Sequence, residues 1–369
     1  MNMYAKRMPF LSKGFLSGQR FYNYPGERSL FSAYDVARSA KDSLVHWLQG
    51  TFAQEQLIGT QLRRVRAARR ATSLPTGFIS GAPKKIQSFV GQKPIVTWLG
   101  HATFLLQFPS CTIITDPVLS SPSPFLQRLL PSYDVHALPK IDVVLLSHNH
   151  RDHMDIATLQ QLKACNDTIK IFAPLGDRVH LQYFCEVHEH EWWQQHLLVQ
   201  HQLVEHSLPQ HSLAQHSLLQ PSLDQSLVPS CTFLPARHWS RRSLGDYNKS
   251  LWGSWMIESD GYKIYFGGDS AYGDHFSAIA QQFGKIDYAL LPIGPCEPRE
   301  SIKDAHMNAE EAGQAFMDLK AQYCVPMHFG TFSLGDDDPT ASFIRFMAWW
   351  ERHHASMIAS TSLVLPYFE

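Results

Sequence analysis

Short apolar runs, each closed by glycine, proline or aspartate, follow one another from about residue 95. They are rich in β-branched and aromatic residues and have the length of strands. The predicted strands cover residues 95–108, 111–115, 141–146, 171–173, 232–235, 252–257, 262–266, 288–293 and 323–327. Apolar positions with helical spacing lie between them at 156–164, 309–320 and 341–352. The pattern predicts an α/β layered architecture.

Residues 1–90 differ from this pattern and predict an N-terminal extension that packs on a core domain of residues 91–369. The extension contains a predicted helix at 33–48 and a basic run at 62–70. A solvated helix face or a linker is the simplest interpretation of the basic run. Docking onto anionic lipid headgroups or a phosphate-bearing substrate is the alternative.

A glutamine- and histidine-rich repeat with a period of five residues occupies about 195–230. Neither a helix nor a strand keeps a five-residue repeat on one face, so its histidines cannot form a row of ligands in regular structure. We therefore expect a low-complexity insertion in a surface loop, with metal scavenging as the alternative.

Composition narrows the classes of partner. Of 369 residues, 44% are hydrophobic and 18% are charged, which is typical of a folded globular protein. The formal net charge of -1 gives no general attraction for nucleic acid, so no nucleic-acid partner is expected. Six scattered cysteines without a C-x-x-C pair, no signal peptide and no apolar run of membrane-spanning length favour a cytoplasmic protein. Peripheral membrane contact stays open.

One motif carries metal chemistry. The predicted strand 141–146 leads directly into His148-x-His150-x-Asp152-His153. Residues two apart in an extended turn project to the same side, so His148 and His150 can bind one metal while Asp152 and His153 turn toward a second. Imidazole and carboxylate groups are suitable zinc ligands. The sequence therefore predicts a metal site here.

Four ligands cannot complete two metal sites, and further donors follow later strands. His238, Asp269 and His328 each stand where a predicted strand gives way to a loop. Catalytic donors on α/β scaffolds commonly come from such loops, which rigid strands hold in place. Asp155 is interpreted as the N-cap of the helix that follows the motif.

The order of these donors resembles the metallo-β-lactamase superfamily, whose pattern is H-x-H-x-D-H followed by His, Asp and His. The resemblance implies an αββα four-layer sandwich and a centre of two Zn2+ ions. It also implies seven metal ligands: His148, His150 and His238 for the first ion, Asp152, His153 and His328 for the second, and Asp269 bridging both.

Within that superfamily the chain looks most like the N-acyl-phosphatidylethanolamine-hydrolysing phospholipase D family and its bacterial relatives. The segments that carry this resemblance are 98–103, 115–117, 237–242, 248–255, 266–270, 292–294, 297–299, 306–312 and 327–332. The resemblance implies a phospholipid substrate that is cleaved at a phosphodiester into phosphatidic acid and an N-acylethanolamine.

Several residues near the predicted metal site are candidates for catalytic roles, and each also has a structural alternative. A hydroxide that bridges two metals is the expected nucleophile, because zinc lowers the pKa of bound water to about 7; Asp152 could also accept the proton. By the resemblance, His306 contributes to catalysis at the leaving oxygen, with ordering of its loop as the alternative. His101 and Asp116 stand at strand ends, where they support ligands or form turns. Arg299 either contacts a substrate phosphate or forms a salt bridge.

Other functions stay in competition. A lactonase or amidohydrolase would use the same metals on a carbonyl, and a nuclease or cyclic-nucleotide-type phosphodiesterase would use them on another phosphodiester. A diiron oxygen- or nitric-oxide-reducing protein normally has Glu where this chain has His150. A binding module would be expected to have lost ligands, and none is missing.

Overall fold

The computed structural model describes residues 15–17, 20–23, 86, 91, 93–124, 126–184, 186–198, 229–243, 245–353 and 362–363. The predicted helix at 33–48, the basic run at 62–70 and most of the histidine repeat lie outside these residues. The described part of the N-terminal extension is a short antiparallel hairpin of β1 (Phe15–Ser17) and β2 (Arg20–Tyr22). The division into an extension and a core domain stays a prediction.

A six-stranded sheet comes from the first half of the core. In spatial order it contains β3 (Ile95–Gly100), β4 (Thr103–Gln107), β5 (Thr112–Thr115), β6 (Val143–Leu145), β7 (Lys170–Pro174) and β8 (Val187–His190). The pairs β3–β4 and β4–β5 are antiparallel, and the remaining pairs are parallel. Strands β3, β5 and β6 therefore run in the same direction and end at the same edge.

A seven-stranded sheet comes mostly from the second half. Its spatial order is β15 (Ser362–Leu363), β14 (Ala321–Met327), β13 (Ile286–Pro292), β12 (Tyr262–Phe266), β11 (Ser254–Ser259), β10 (Ser230–Leu234) and β9 (Gln195–Leu197). Strands β10, β12 and β14 are parallel to one another, because β11 is antiparallel to both of its neighbours and β12, β13 and β14 pair in parallel. Their carboxyl ends also share one edge.

Two hydrophobic clusters lie on the two faces of the six-stranded sheet. Along β4 to β7 the side chains alternate between them, as strand geometry requires. The inner cluster contains Phe104, Leu106, Ile113, Val143, Leu145 and Phe172. The outer cluster contains Leu105, Ile114, Val144, Ile171 and Ala173. The inner face packs on the seven-stranded sheet, since residues of both sheets belong to one cluster.

Helices cover the outer faces. Leu159 and Leu162 of α1 (Ile156–Cys165) join the outer cluster of the six-stranded sheet. On the far side, α2 (His275–Phe283), α4 (Ala309–Leu319) and α5 (Ala341–His353) pack together over the seven-stranded sheet, and α3 (Arg299–Ile302) is a single turn before α4. The predicted four-layer αββα sandwich is confirmed.

Helix caps agree with the sequence. The Asp155 carboxylate accepts hydrogen bonds from the backbone N–H groups of Ala157 and Thr158 and so caps α1, as expected. Asn308 and Glu311 form a reciprocal capping box at the start of α4. Among the described helices, none combines the length and apolar character that crossing a bilayer requires.

Some elements differ from the predicted pattern. The apolar run 95–108 is two strands, because the chain reverses at Gly100 and His101, whose φ angles are 106° and 54°. Strand β8 and helix α2 were not predicted. The histidine repeat begins in β9, which pairs with β10 through Leu197 opposite Ser230. The ends of the insertion therefore leave the sheet side by side.

Candidate metal centre

The predicted donors all follow strands that end at the same edges of the two sheets. The motif that begins at His148 comes after β6, and His238, Asp269 and His328 follow β10, β12 and β14. Because these strands run in the same direction within each sheet, the connections after them meet at one end of the sandwich. The topology therefore brings donors from distant parts of the sequence together.

The first cluster contains His148, His150 and His238, whose ligating nitrogens all lie within 4.8 Å of one another. His148 Nε2 is 2.8 Å and His238 Nε2 is 3.1 Å from the same atom, His150 Nδ1. His148 and His238 are buried, and His150 is half-buried. Three ring nitrogens that converge in this way can hold one cation.

The second cluster contains Asp152, His153 and His328, together with His101, and its ligating atoms also lie within 4.8 Å of one another. His153 Nε2 and His328 Nε2 are 3.4 Å apart. Asp152 Oδ2 is 3.7 Å from His153 Nε2 and 4.0 Å from His328 Nε2. The structure thus adds His101 to the residues that the sequence placed at the second site.

Asp269 lies between the two clusters and is only 2% exposed. Its Oδ2 is 3.2 Å from His153 Nε2 and 3.8 Å from His238 Nε2, and its Oδ1 is 3.0 Å from His328 Nε2. One carboxylate therefore faces both clusters. That position suits a group shared by two cations.

The donor set in the site supports a fit to metal. Asp269 is a buried carboxylate that faces ring nitrogens of His153, His238 and His328 at 3.2, 3.8 and 3.0 Å. Buried polar atoms are normally paired, and buried carboxylates are normally paired or bind cations. The His and Asp clusters are therefore able to bind metal.

Electrostatics favour the metal-binding form of the three histidines in the first cluster. Burial, followed by neighbouring histidines, lowers the pKa of His148 well below its ordinary value. Burial is also the main cause that lowers the pKa of His150 and of His238 to about 3. Neutral imidazoles keep a lone pair for a metal. Burial opposes charge on Asp269, but His153 and His328 outweigh it and hold the pKa of its carboxyl well below its usual range.

Asp116, after β5, supports the site without being one of the predicted ligands. Its Oδ2 is 2.7 Å from His153 Nδ1 and accepts a hydrogen bond of 2.6 Å from the Ser147 hydroxyl. Its Oδ1 accepts a second bond of 2.7 Å from the Ser147 backbone N–H. A carboxylate that binds the far nitrogen of a metal-ligating histidine fixes both the tautomer and the orientation of the ring.

Two residues hold His238 by hydrogen bonds, and one of them, Asn23, directly follows the N-terminal hairpin. Its Nδ1 lies 2.8 Å from the Ala305 carbonyl oxygen. Its backbone N–H donates to Asn23 Oδ1 at 3.2 Å, and Asn23 Nδ2 donates back to its carbonyl at 3.3 Å. The Trp252 indole also donates to Asn23 Oδ1. Asn23 is a site residue that no sequence signal indicated.

His306 lies at the rim of the centre and is the other predicted catalytic residue. Its Nδ1 is 3.7 Å from Asp269 Oδ2 and has no hydrogen-bond partner among the described residues. Burial is the main cause that lowers its pKa to about 4. Arg299 donates to the His306 carbonyl at 2.9 Å and pairs with Glu311. Arg299 therefore forms the salt bridge that was one of its two predicted roles.

Trp239, Arg151, Arg241 and Arg242 lie beside the donors, and we call this exposed border the mouth of the centre. The Trp239 ring lies 4.2 Å from the His150 ring, measured between centroids, and the Arg241 guanidinium stacks over it at 5.4 Å. Arg151 and Arg241 are exposed, while Arg242 donates to the carbonyls of Asn149 and Met154. The fold and these clusters together define an α/β sandwich with a metal-binding site at one end.

Comparisons with known proteins give the family. The model of the Beta-lactamase superfamily domain matches residues 112–329, more than half of the chain. The chain belongs to the metallo-β-lactamase superfamily and is a metal-dependent hydrolase.

The chain is also similar to individual proteins and to solved structures. An uncharacterized protein of Mycobacterium tuberculosis is 33% identical over 79% of this chain and 73% of its own length. The N-acyl-phosphatidylethanolamine-hydrolyzing phospholipase D 1 of Caenorhabditis elegans is 28% identical over 65% of this chain and 64% of its own length. The isothiocyanate hydrolase from Delia radicum gut bacteria has a TM-score of 0.51 at 16% identity, covering 74% of this chain and 97% of that chain. This last likeness shows the fold alone.

Proposed function

We propose that the chain is a phosphodiesterase of phospholipase D type that cleaves N-acyl-phosphatidylethanolamine into N-acylethanolamine and phosphatidic acid. The observation that carries the proposal is the position of Asp269, whose two oxygens face donors of both clusters. This arrangement supports a centre of two zinc ions, with the seven ligands distributed as the resemblance implies. The Caenorhabditis elegans relative supports the substrate class by its printed name.

The chemistry divides between the metal and the side chains. When bound, two zinc ions would supply Lewis acidity at a phosphoryl oxygen and lower the pKa of water. Asp152 is 15% exposed, whereas Asp269 is 2% exposed, so Asp152 is the carboxylate that reaches the mouth of the site. We assign to Asp152 the acceptance of the proton of the attacking water, and to Asp269 the spacing of the two sites.

We assign to His306 a role at the leaving group. Its ring is 5.0 Å from that of His238 and 5.6 Å from that of His328, measured between centroids, so it stands at the edge of both clusters. We propose that it donates a hydrogen bond to the leaving oxygen of the N-acylethanolamine. The carbonyl of His306 is held by Arg299, which keeps the ring at the rim.

The mouth suits an anionic substrate with an apolar tail. Arg151 and Arg241 are exposed cations beside the donors, and Trp239 offers an aromatic surface against His150. Cationic groups near the reacting centre favour a phosphodiester over a neutral ester. A phospholipid that presents its headgroup to this mouth would keep its acyl chains in the membrane, which agrees with peripheral membrane contact.

A substrate panel tests the proposal. The zinc-loaded protein is assayed on N-acyl-phosphatidylethanolamine, on a simple aryl phosphodiester and on an acyl lactone, with products identified by mass spectrometry. We expect the highest kcat/KM on the phospholipid. Asp269→Asn should lose both bound metal and activity, and Asp167→Asn, at an exposed carboxylate, should retain them. Turnover of the lactone alone would contradict the proposal.

A further inference from the structure

We infer that His101 is a positioning residue that fixes two proposed ligands of the second metal, Asp152 and His328, and thereby sets the affinity of that metal. The inference rests on the proposed metal centre. His101 follows β3 in the six-stranded sheet, whereas His328 follows β14 in the other sheet. It therefore joins the two halves of the sandwich at the second cluster.

The backbone of His101 is held in an unfavourable conformation by specific contacts. Its φ of 54° is in the left-handed region, which is unfavourable for a residue other than glycine. Its N–H donates to Thr331 Oγ1 at 2.6 Å, and its carbonyl accepts from the Trp98 indole at 2.7 Å. The same carbonyl accepts the His328 backbone N–H at 3.1 Å. The peptide group of a proposed ligand is thus bonded to His101.

The side chain of His101 acts on the other ligand. It is 1% exposed, and its Nε2 is 3.2 Å from Asp152 Oδ2. A carboxylate accepts hydrogen bonds and does not donate them, so we assign the proton of this contact to His101 Nε2. Oδ2 is also the oxygen that faces His153 and His328, so this bond orients the part of Asp152 that belongs to the second cluster. The His101 ring also lies 4.0 Å from the His328 ring, which restricts rotation of that ring.

His101 could act on the metal in two ways, by positioning other ligands or as a ligand itself, and its geometry favours positioning. His101 belongs to a group of four donors within 4.8 Å of one another, so it has the reach to be a ligand itself. However, its Nε2 already faces Asp152, and outer contacts of this kind typically change metal affinity by about 10–100-fold. A glutamine retains an N–H donor but is a poor zinc ligand, so it distinguishes the two roles.

The test is a competition titration that resolves the first and second zinc equivalents with a chromophoric chelator. For His101→Ala we expect second-equivalent binding to weaken about 10–100-fold while first-equivalent binding changes little. For His101→Gln we expect both affinities to stay close to wild type. His190→Gln, at a buried histidine on β8 outside both clusters, is the matched control and should leave both affinities unchanged.

Several outcomes would overturn the inference. Unchanged binding of the second equivalent in His101→Ala, or equal weakening of both equivalents, would do so. Equal loss in His101→Gln and His101→Ala would identify His101 as a ligand instead. If His101→Ala does not fold, Thr331→Val, which removes the acceptor for the His101 N–H, should weaken the second equivalent and Thr331→Ser should restore it. A wild-type chain that binds fewer than two ions overturns the proposed centre itself.

Discussion

Arg299 donates a hydrogen bond of 2.9 Å to the backbone carbonyl of His306, and both carboxylate oxygens of Glu311 hold the same guanidinium at 2.6 Å. Glu311 is also the residue that completes the capping box of α4 with Asn308. A helix cap therefore fixes the loop that carries His306. The same contacts occupy both terminal nitrogens of Arg299.

Arg299→Lys tests whether the contact between Arg299 and the His306 carbonyl affects catalysis independently of protein stability. Lysine carries one ammonium group and cannot reproduce the planar fork that reaches Glu311 and the His306 carbonyl together. We expect kcat to fall about tenfold with little change in metal content, because small misplacements of a catalytic group are costly. Arg345→Lys is the control, since Arg345 pairs with Glu310 and Glu297. Equal kcat values for the two variants would contradict the role of Arg299.

His306→Ala tests the assignment at the leaving group. Loss of a positioned hydrogen-bond donor to a developing oxyanion typically lowers kcat by about 10²–10³-fold, so we expect a fall of that order. Zinc content, measured by atomic emission, should stay at the wild-type value. His306 also belongs to a group with His238 and Asp269 that has the reach to hold a metal. A variant that loses zinc in proportion to activity would make His306 a ligand.

Gly268→Ala tests whether the metal centre requires the close approach of Gly268 to Ser147. A Cβ at Gly268 would lie 2.5 Å from Ser147 Cβ, and Ser147 bonds both Asp116 and His148. We expect a loss of stability and of zinc affinity, because Ser147 must shift. Gly261→Ala is the control, since its φ of 80° is also in the positive region that disfavours alanine but its Cβ meets nothing within 4 Å.

For Gly261→Ala we expect only the backbone cost of a positive φ, about 1–2 kcal/mol, with unchanged zinc affinity. The measurements are urea unfolding and a zinc competition titration for both variants. Equal effects of the two substitutions on zinc affinity would show that contact with Ser147 has no influence on the site.

The buried carboxyl of Asp177 leads to a prediction of how the stability of the protein depends on pH. Burial raises the pKa of this carboxyl to about 7 in the folded protein. A folded-state pKa above the unfolded value means that the folded protein binds the proton more tightly, so stability falls as pH rises from about 4 to about 7 and then levels off. Asp177→Asn should remove this dependence, which is on the order of a few kcal/mol.

The measurement is urea unfolding of the wild type and Asp177→Asn at matched pH values from 5 to 8. The difference between the two free energies of unfolding cancels the groups they share, including the pH dependence of metal binding. We expect the variant to gain stability relative to wild type as pH rises toward 7. A difference that does not vary with pH would contradict the raised pKa.

Much of the centre was predictable because each donor directly follows an apolar run. His148, Asp269 and His328 stand one to three residues beyond their strands, so the ends of the strands marked them. The same reasoning failed where polar residues form the strand. Strand β8 reads Val-His-Glu-His and has no apolar run, so its pattern does not differ from that of a loop.

Contacts between distant positions could not be predicted. Asn23 and His238 are 215 residues apart, and a single asparagine carries no pattern that names its partner. Arg299 was ambiguous because carboxylate and phosphate present the same paired oxygens to a guanidinium. The reversal at His101 was hidden inside an apolar run, and two contacts from distant residues, Thr331 and His328, help to maintain its left-handed conformation.

Hydrolysis of N-acyl-phosphatidylethanolamine by the zinc-loaded protein in water enriched with 18O tests the central claim most directly. Attack of water at phosphorus places one 18O atom in phosphatidic acid and none in the N-acylethanolamine, and the account predicts this pair of products with this label. Release of a fatty acid or of diacylglycerol, or label in the N-acylethanolamine, would contradict it. So would an absence of turnover by protein that contains its full complement of zinc.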